Sequence, residues 1–69
     1  MPQDSADLLA GREVIIEFHT IGSYVKISAV DVKSTVEISV QGPVSTDKKI
    51  LRQNALRRLE YVLKKKNII

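Results

Sequence analysis

Residues 14–31 read Val14-Ile15-Ile16-Glu17-Phe18-His19-Thr20-Ile21-Gly22-Ser23-Tyr24-Val25-Lys26-Ile27-Ser28-Ala29-Val30-Asp31. From a start near Arg12, the side chains Val14, Ile16 and Phe18 alternate with Ile15, Glu17 and His19. That period of two, carried by β-branched and aromatic residues, marks a half-buried strand. Gly22-Ser23 interrupts it. Glycine at the first central position of a two-residue turn reaches positive φ without a Cβ clash, which suits a type II′ hairpin. Such a turn sets Ile21 opposite Tyr24, Phe18 opposite Ile27 and Ile16 opposite Ala29. Opposed residues share a face. The second strand, Tyr24 to Asp31, therefore brings Val25, Ile27 and Ala29 onto the apolar side, while Glu17 meets Ser28 and His19 meets Lys26 on the other. Turn and pattern agree.

Downstream, Val36, Ile38 and Val40 alternate with Glu37, Ser39 and Gln41, which predicts a third strand from about Thr35 to Gln41. The turn before it, within Asp31 to Thr35, lacks glycine, and its register stays open. Gly42-Pro43 is expected to end the sheet, because proline has no amide hydrogen for a ladder. A helix follows. Ser45 or Thr46 is the expected N-cap, with Asp47 in the first turn at the positive end of the dipole. At 100° per residue Leu51, Ala55, Leu56, Leu59, Val62 and Leu63 fall in one arc. Arg52 also falls inside that arc, and is expected to reach solvent past a sheet edge. Lys64 to Lys66 sit at the negative end of the dipole, and Asn67 is the expected stop. Glu60 precedes Lys64 by four residues, the favourable order for a helical ion pair. The fold class is α+β: a three-stranded antiparallel sheet with one C-terminal helix packed on one face, in the order β-β-β-α.

Sixty-nine residues make one domain, near the lower limit for a self-sufficient core. The expected organisation is a flexible leader over 1–11, in which Leu8 and Leu9 could dock, a domain over 12–66 and a tail over 67–69. Cysteine is absent, which rules out a disulfide framework or a thiolate metal site. No apolar run approaches the roughly twenty residues of a membrane helix, and no basic-then-apolar signal segment opens the chain. A cytoplasmic location is the resulting expectation. The net charge of +3 is unevenly placed. Residues 1–46 hold three cations (Arg12, Lys26, Lys33) against six anions (Asp4, Asp7, Glu13, Glu17, Asp31, Glu37), net −3. Residues 47–69 hold eight cations against Asp47 and Glu60, net +6. That asymmetry points to an anionic partner, or to attraction between the two halves in cis or across a dimer.

The strings Glu17-Phe18-His19, Ile21-Gly22, Tyr24-Val25-Lys26, Ser28-Ala29-Val30-Asp31, Gly42-Pro43, Asn54-Ala55-Leu56 and Leu59-Glu60-Tyr61-Val62-Leu63 together resemble a family of short bacterial proteins of unknown function, chiefly alphaproteobacterial. The resemblance spans roughly residues 11 to 66. It implies a compact bacterial domain and brings no activity with it.

Catalysis finds little support in the residues. His19 is the only histidine. Zinc wants three or four ligands, Glu17 is the one evident companion, and Lys26 opposite would repel a cation. A surface histidine is the plainer account, and no metal or other cofactor is inferred. No Ser-His-Asp arrangement is suggested, and Gly11, Gly22 and Gly42 are isolated, so no glycine-rich phosphate loop exists. Asp31 ends its strand on the core-side parity. Neither an enzymatic role nor a small-molecule substrate is expected.

Two helical surfaces remain. Ile50, Asn54, Arg57 and Tyr61, spaced by four, three and four, share a line opposite the core-facing arc, and tyrosine and arginine are favoured interface anchors. The basic residues Lys48, Lys49, Arg52, Arg57, Arg58, Lys64, Lys65 and Lys66 could neutralise phosphates. They are spread, however, with Lys49 and Lys64 on one flank, Arg58 and Lys65 on the other and Arg57 near the back, and Tyr24 and Tyr61 are the only aromatics free to stack. Beyond the helix, the open sheet face offers Ile15, Tyr24 and Val30, with Val32 a further candidate, and either edge strand could pair with another chain. A core of about fourteen side chains is marginal for a domain of this size, which is the physical reason to expect a homodimer. The reading is a non-catalytic interaction module whose expected partner is a second copy or another protein; the alternative is weak, sequence-independent nucleic-acid binding through the basic helix.

Overall fold

The computed structural model describes Leu9 and residues 11–69. Three strands, β1 (Val14–Ile21), β2 (Tyr24–Asp31) and β3 (Glu37–Pro43), precede one helix, α1 (Lys48–Lys65). The sheet is antiparallel in the order β1-β2-β3, and α1 lies across β2 and β3 on one face. The first hairpin pairs Ile21 with Tyr24, Phe18 with Ile27 and Ile16 with Ala29, the register its turn demanded. Gly22 has φ +60° while Ser23 stays at negative φ, the combination that defines a type II′ turn.

The second hairpin departs from expectation at its boundaries. Thr35 is not the start of a strand; it sits in the turn at φ +61°, and β3 begins at Glu37. The N–H of Thr35 donates to the Asp31 carbonyl at 2.7 Å and the Asp31 N–H donates to the Val36 carbonyl at 2.9 Å, which closes a loop over residues 32–35. β3 also runs on through Gly42, opposite Val25, to Pro43, opposite Tyr24. Proline is tolerated there because β3 is an edge strand, so a missing donor need not break the ladder. Gly42 is required for packing: a Cβ there would lie 2.6 Å from Leu51 Cδ2, so the bare backbone lets the first turn of α1 settle onto the sheet.

The N-cap is Asp47, not Ser45 or Thr46. Its Oδ1 accepts the Lys49 N–H at 2.8 Å, and its carbonyl accepts from Ile50 and Leu51. A carboxylate satisfies the same orphan donor as a hydroxyl and adds a full negative charge at the positive end of the dipole. At the other end Asn67 takes φ +60°, the Ile68 N–H reaches the Leu63 carbonyl at 2.9 Å and the Asn67 N–H reaches Lys64 at 3.0 Å. That pair of bonds is a Schellman stop.

Between the layers, Val25, Ile27 and Ala29 of β2 are buried against Leu51, Ala55, Leu56, Leu59 and Leu63 of α1. Leu9 joins them, so packing extends into the segment expected to be a leader, most of which lies outside the described residues. Ile69 also packs against the core from the far end. Val14, Ile16 and Phe18 on β1, with Val36, Ile38 and Val40 around β3, are half-buried at the margins. Among the described residues, no helix is long and apolar enough to cross a membrane.

Candidate interaction surfaces

The outward face of α1 follows from its inward one. Ile50, Asn54, Arg57 and Tyr61 are all exposed, Ile50 by 51% and Tyr61 by 52%, which puts two large apolar bodies in water on the line opposite the buried arc. Tyr61 is bracketed by cations: the Arg58 guanidinium lies 5.5 Å and the Lys65 ammonium 5.6 Å from its ring centroid. Lys65 Nζ also donates to the Tyr61 hydroxyl at 3.4 Å. Both cations are drawn to the negative face of the ring. Arg57 and Lys64 are exposed on the adjoining flank, with Lys66 beyond them, so the outer surface of the helix is an aromatic and aliphatic line set in positive charge. Lys48 and Lys49 are exposed at the N-terminal turn, where Lys48 Nζ sits 5.6 Å over the Phe18 ring. Arg52 is the exception among the basic candidates, being half-buried as its place in the apolar arc requires.

The open face of the sheet has a different character. Ile15 and Ile21 on β1 are 47% and 48% exposed, Tyr24 is exposed beside Ile21, and Val30 is half-buried opposite Ile15. Between these apolar ends lie Glu17, His19, Lys26, Ser28, Glu37, Ser39 and Gln41. His19 Nε2 and Glu17 Oε1 are 3.5 Å apart, both side chains more than half exposed, and Lys26 stands opposite His19. Among the described residues no group of three or more histidine, cysteine, aspartate or glutamate side chains gathers as an ion site.

One polar cluster escapes a reading by motif. The Asp31 carboxylate is fully buried. Arg12 binds it through two prongs, Nε to Oδ1 at 3.0 Å and Nη2 to Oδ2 at 2.9 Å. Ser34 adds its N–H at 3.1 Å and its hydroxyl at 2.5 Å, both to Oδ2. The Ser34 hydroxyl oxygen in turn accepts the Val36 N–H at 3.2 Å. The guanidinium bonds hold the Asp31 carboxyl far below the usual carboxylate range, against the opposing effect of burial and with further help from Ser34. The same bonds push Arg12 above its ordinary value. Asp31 is therefore a structural clasp joining the start of β1 to the β2–β3 turn, its carboxylate held by four hydrogen bonds. The sequence signal for it was the aspartate at a core-side position, which calls for a cationic partner.

A family model, described as a domain of unknown function, DUF6898, matches residues 11–66. The chain belongs to the DUF6898 family. The matched span takes in all three strands and all of α1, so the family unit and the packed unit coincide. No curated protein and no solved structure matches the DUF6898 chain.

Proposed function

We propose that this DUF6898 domain is a non-catalytic interaction module that works as a homodimer in the cytoplasm of bacteria, in the chiefly alphaproteobacterial setting its resemblance implies. The observation that carries the reading is the placement of polar and apolar groups. The buried charge, Asp31, is wholly engaged by Arg12 and Ser34, while Ile15, Ile21, Ile50 and Tyr61 stand out in water on two opposite faces. The buried carboxylate is held in a clasp, and adhesive groups are displayed. Exposed apolar groups rimmed by polar ones are what interaction surfaces present.

The two faces suit different partners. A two-fold dimer built on α1 would set Arg57, Arg58, Lys64 and Lys65 against their own copies, at a cost in like-charge repulsion. The face bearing Ile50, Asn54, Arg57 and Tyr61 therefore fits an anionic protein partner, and the sheet side fits a second copy. Light scattering tests the homodimer: the expected mass is twice the 7.7 kDa of the chain, and a monomer at millimolar concentration would remove the claim.

A second reading rests on the same helix. Tyr61 flanked by Arg58 and Lys65, with Lys48, Lys49, Arg57, Lys64 and Lys66 also exposed, combines a stacking ring with phosphate-neutralising charge, and favours weak, sequence-independent nucleic-acid binding. That reading expects generic oligonucleotides to bind at low salt and to release steeply as salt rises. Flat titrations at low salt would end it.

A further inference from the structure

The geometry points to the outer edge of β1 as the dimer interface, paired antiparallel with β1 of a second copy about a two-fold axis at Phe18. This rests on the homodimer reading and gives it a surface and a register.

β1 is the less protected of the two sheet edges. It runs through eight continuous pairs with β2, has no proline, and the helix above the sheet lies over β2 and β3. The inner-face residues Val14, Ile16 and Phe18 are half-buried, as are Val36, Ile38 and Val40 about β3, so burial does not distinguish the two edges and the regular ladder and absence of proline do. β3, by contrast, ends in Pro43 and carries the packing of Leu51 over Gly42. Regular, unblunted edges of this kind are templates for another strand.

The backbone is poised for it. The Val32 N–H donates to the Glu13 carbonyl at 3.0 Å, which assigns Glu13 to the positions bonded toward β2. In an antiparallel ladder such positions alternate, so Ile15, Glu17, His19 and Ile21 bond inward while Val14, Ile16, Phe18 and Thr20 direct N–H and C=O outward. Among the described residues no other strand lies along that side.

Side chains then select the register. A two-fold axis perpendicular to the sheet preserves its faces, so only residues of equal parity can oppose one another. Centred on Phe18, the pairing sets Phe18 against its copy and Ile16 against Thr20 on the inner face. On the open face it sets Glu17 against His19 and Ile15 against Ile21, twice over by symmetry. Carboxylate meets imidazole and isoleucine meets isoleucine. Centring on Glu17 would place that carboxylate against itself, centring on His19 would put Glu17 against Ile21, and centring on Ile16 would put Glu17 against Ile15. The stretch from Ile15 to Ile21 is in this sense a palindrome about Phe18.

Because the chain has no cysteine, engineered thiols report the register directly. Glu17→Cys protein is mixed with His19→Cys protein under oxidised glutathione; both sites are exposed, so the core is undisturbed. Directly opposed positions outside the bonded pairs lie about 4.5 Å apart at Cα, within disulfide reach, whereas Glu17 and its own copy are diagonal neighbours at about 7–8 Å. The expected result is a mixed disulfide exceeding either homodisulfide by about fivefold. A wild-type chain that is dimeric by light scattering but yields no excess of mixed disulfide would overturn this interface and leave the homodimer standing. A wild-type chain that is monomeric at millimolar concentration would overturn both.

Discussion

Asp31 and Thr35 lie four residues apart and carry opposite signs of free energy. Asp31 is stabilised by Arg12 and Ser34, and removing the charge strands a guanidinium with little solvent around it. Asp31→Asn is expected to destabilise the fold by about 2 kcal/mol, below the ~3–5 kcal/mol of fully buried broken pairs because Arg12 keeps some exposure. The sign of the pH dependence follows from the lowered carboxyl pKa. The contribution is full above the unfolded value of about 3.9 and is lost as pH falls below it toward the folded value. Urea titrations at pH 6 and pH 2.5 should therefore show the gap between wild type and Asp31→Asn narrowing in acid; a constant gap would contradict the clasp. Thr35 is a β-branched residue in the left-handed region, a conformation that asparagine adopts far more readily. Thr35→Asn is expected to stabilise by about 0.5–1 kcal/mol, read as a higher urea midpoint with an unchanged slope.

At the level of elements, the helix is held down at a point where the sheet has no side chain. Gly42→Ala forces a methyl into Leu51, a buried residue whose rotamer must shift, and about 1–2 kcal/mol of destabilisation is expected. The companion change Leu51→Ala should relieve the clash, so a double-mutant cycle would show coupling between the two sites; strict additivity would argue that Gly42 serves some other purpose. Asp47→Ala should lose about 1 kcal/mol through the cap, whereas Ser45→Ala should leave the midpoint unmoved. These elements also show what was legible beforehand. The β1–β2 hairpin could be registered because one glycine and a period-two pattern admit a single alignment. The β2–β3 turn could not, since its left-handed residue is a threonine and the force holding it there comes from Asp31 and Ser34 rather than from local preference. The cap was misplaced by a residue or two because Ser45, Thr46 and Asp47 are all competent, and only the assembled first turn shows Asp47 accepting the Lys49 N–H. The exposed line Ile50, Asn54, Arg57 and Tyr61 was legible from spacing alone; the half-burial of Arg52 and the Arg12–Asp31 clasp needed the sheet to be assembled first.

For the whole molecule, two layers leave two outer faces of unlike chemistry, the cationic helix suiting an anionic partner and the edge of β1 a second copy. Tyr61→Ala with Arg57→Glu should abolish binding of an acidic partner while leaving the dimer mass intact, since both residues are exposed on the outer face of a helix that packs on β2 and β3. Self-association through β1 is the central claim, and amide hydrogen exchange followed residue by residue over a dilution series tests it most directly. The N–H groups of Glu17 and His19, bonded to β2, should be protected at every concentration. Those of Ile16, Phe18 and Thr20 should be protected in concentrated samples and exchange freely once dilution gives the monomer. If the amides of Ile16, Phe18 and Thr20 exchange at the unprotected rate in a sample whose mass is that of a dimer, the β1 edge is not where the copies meet.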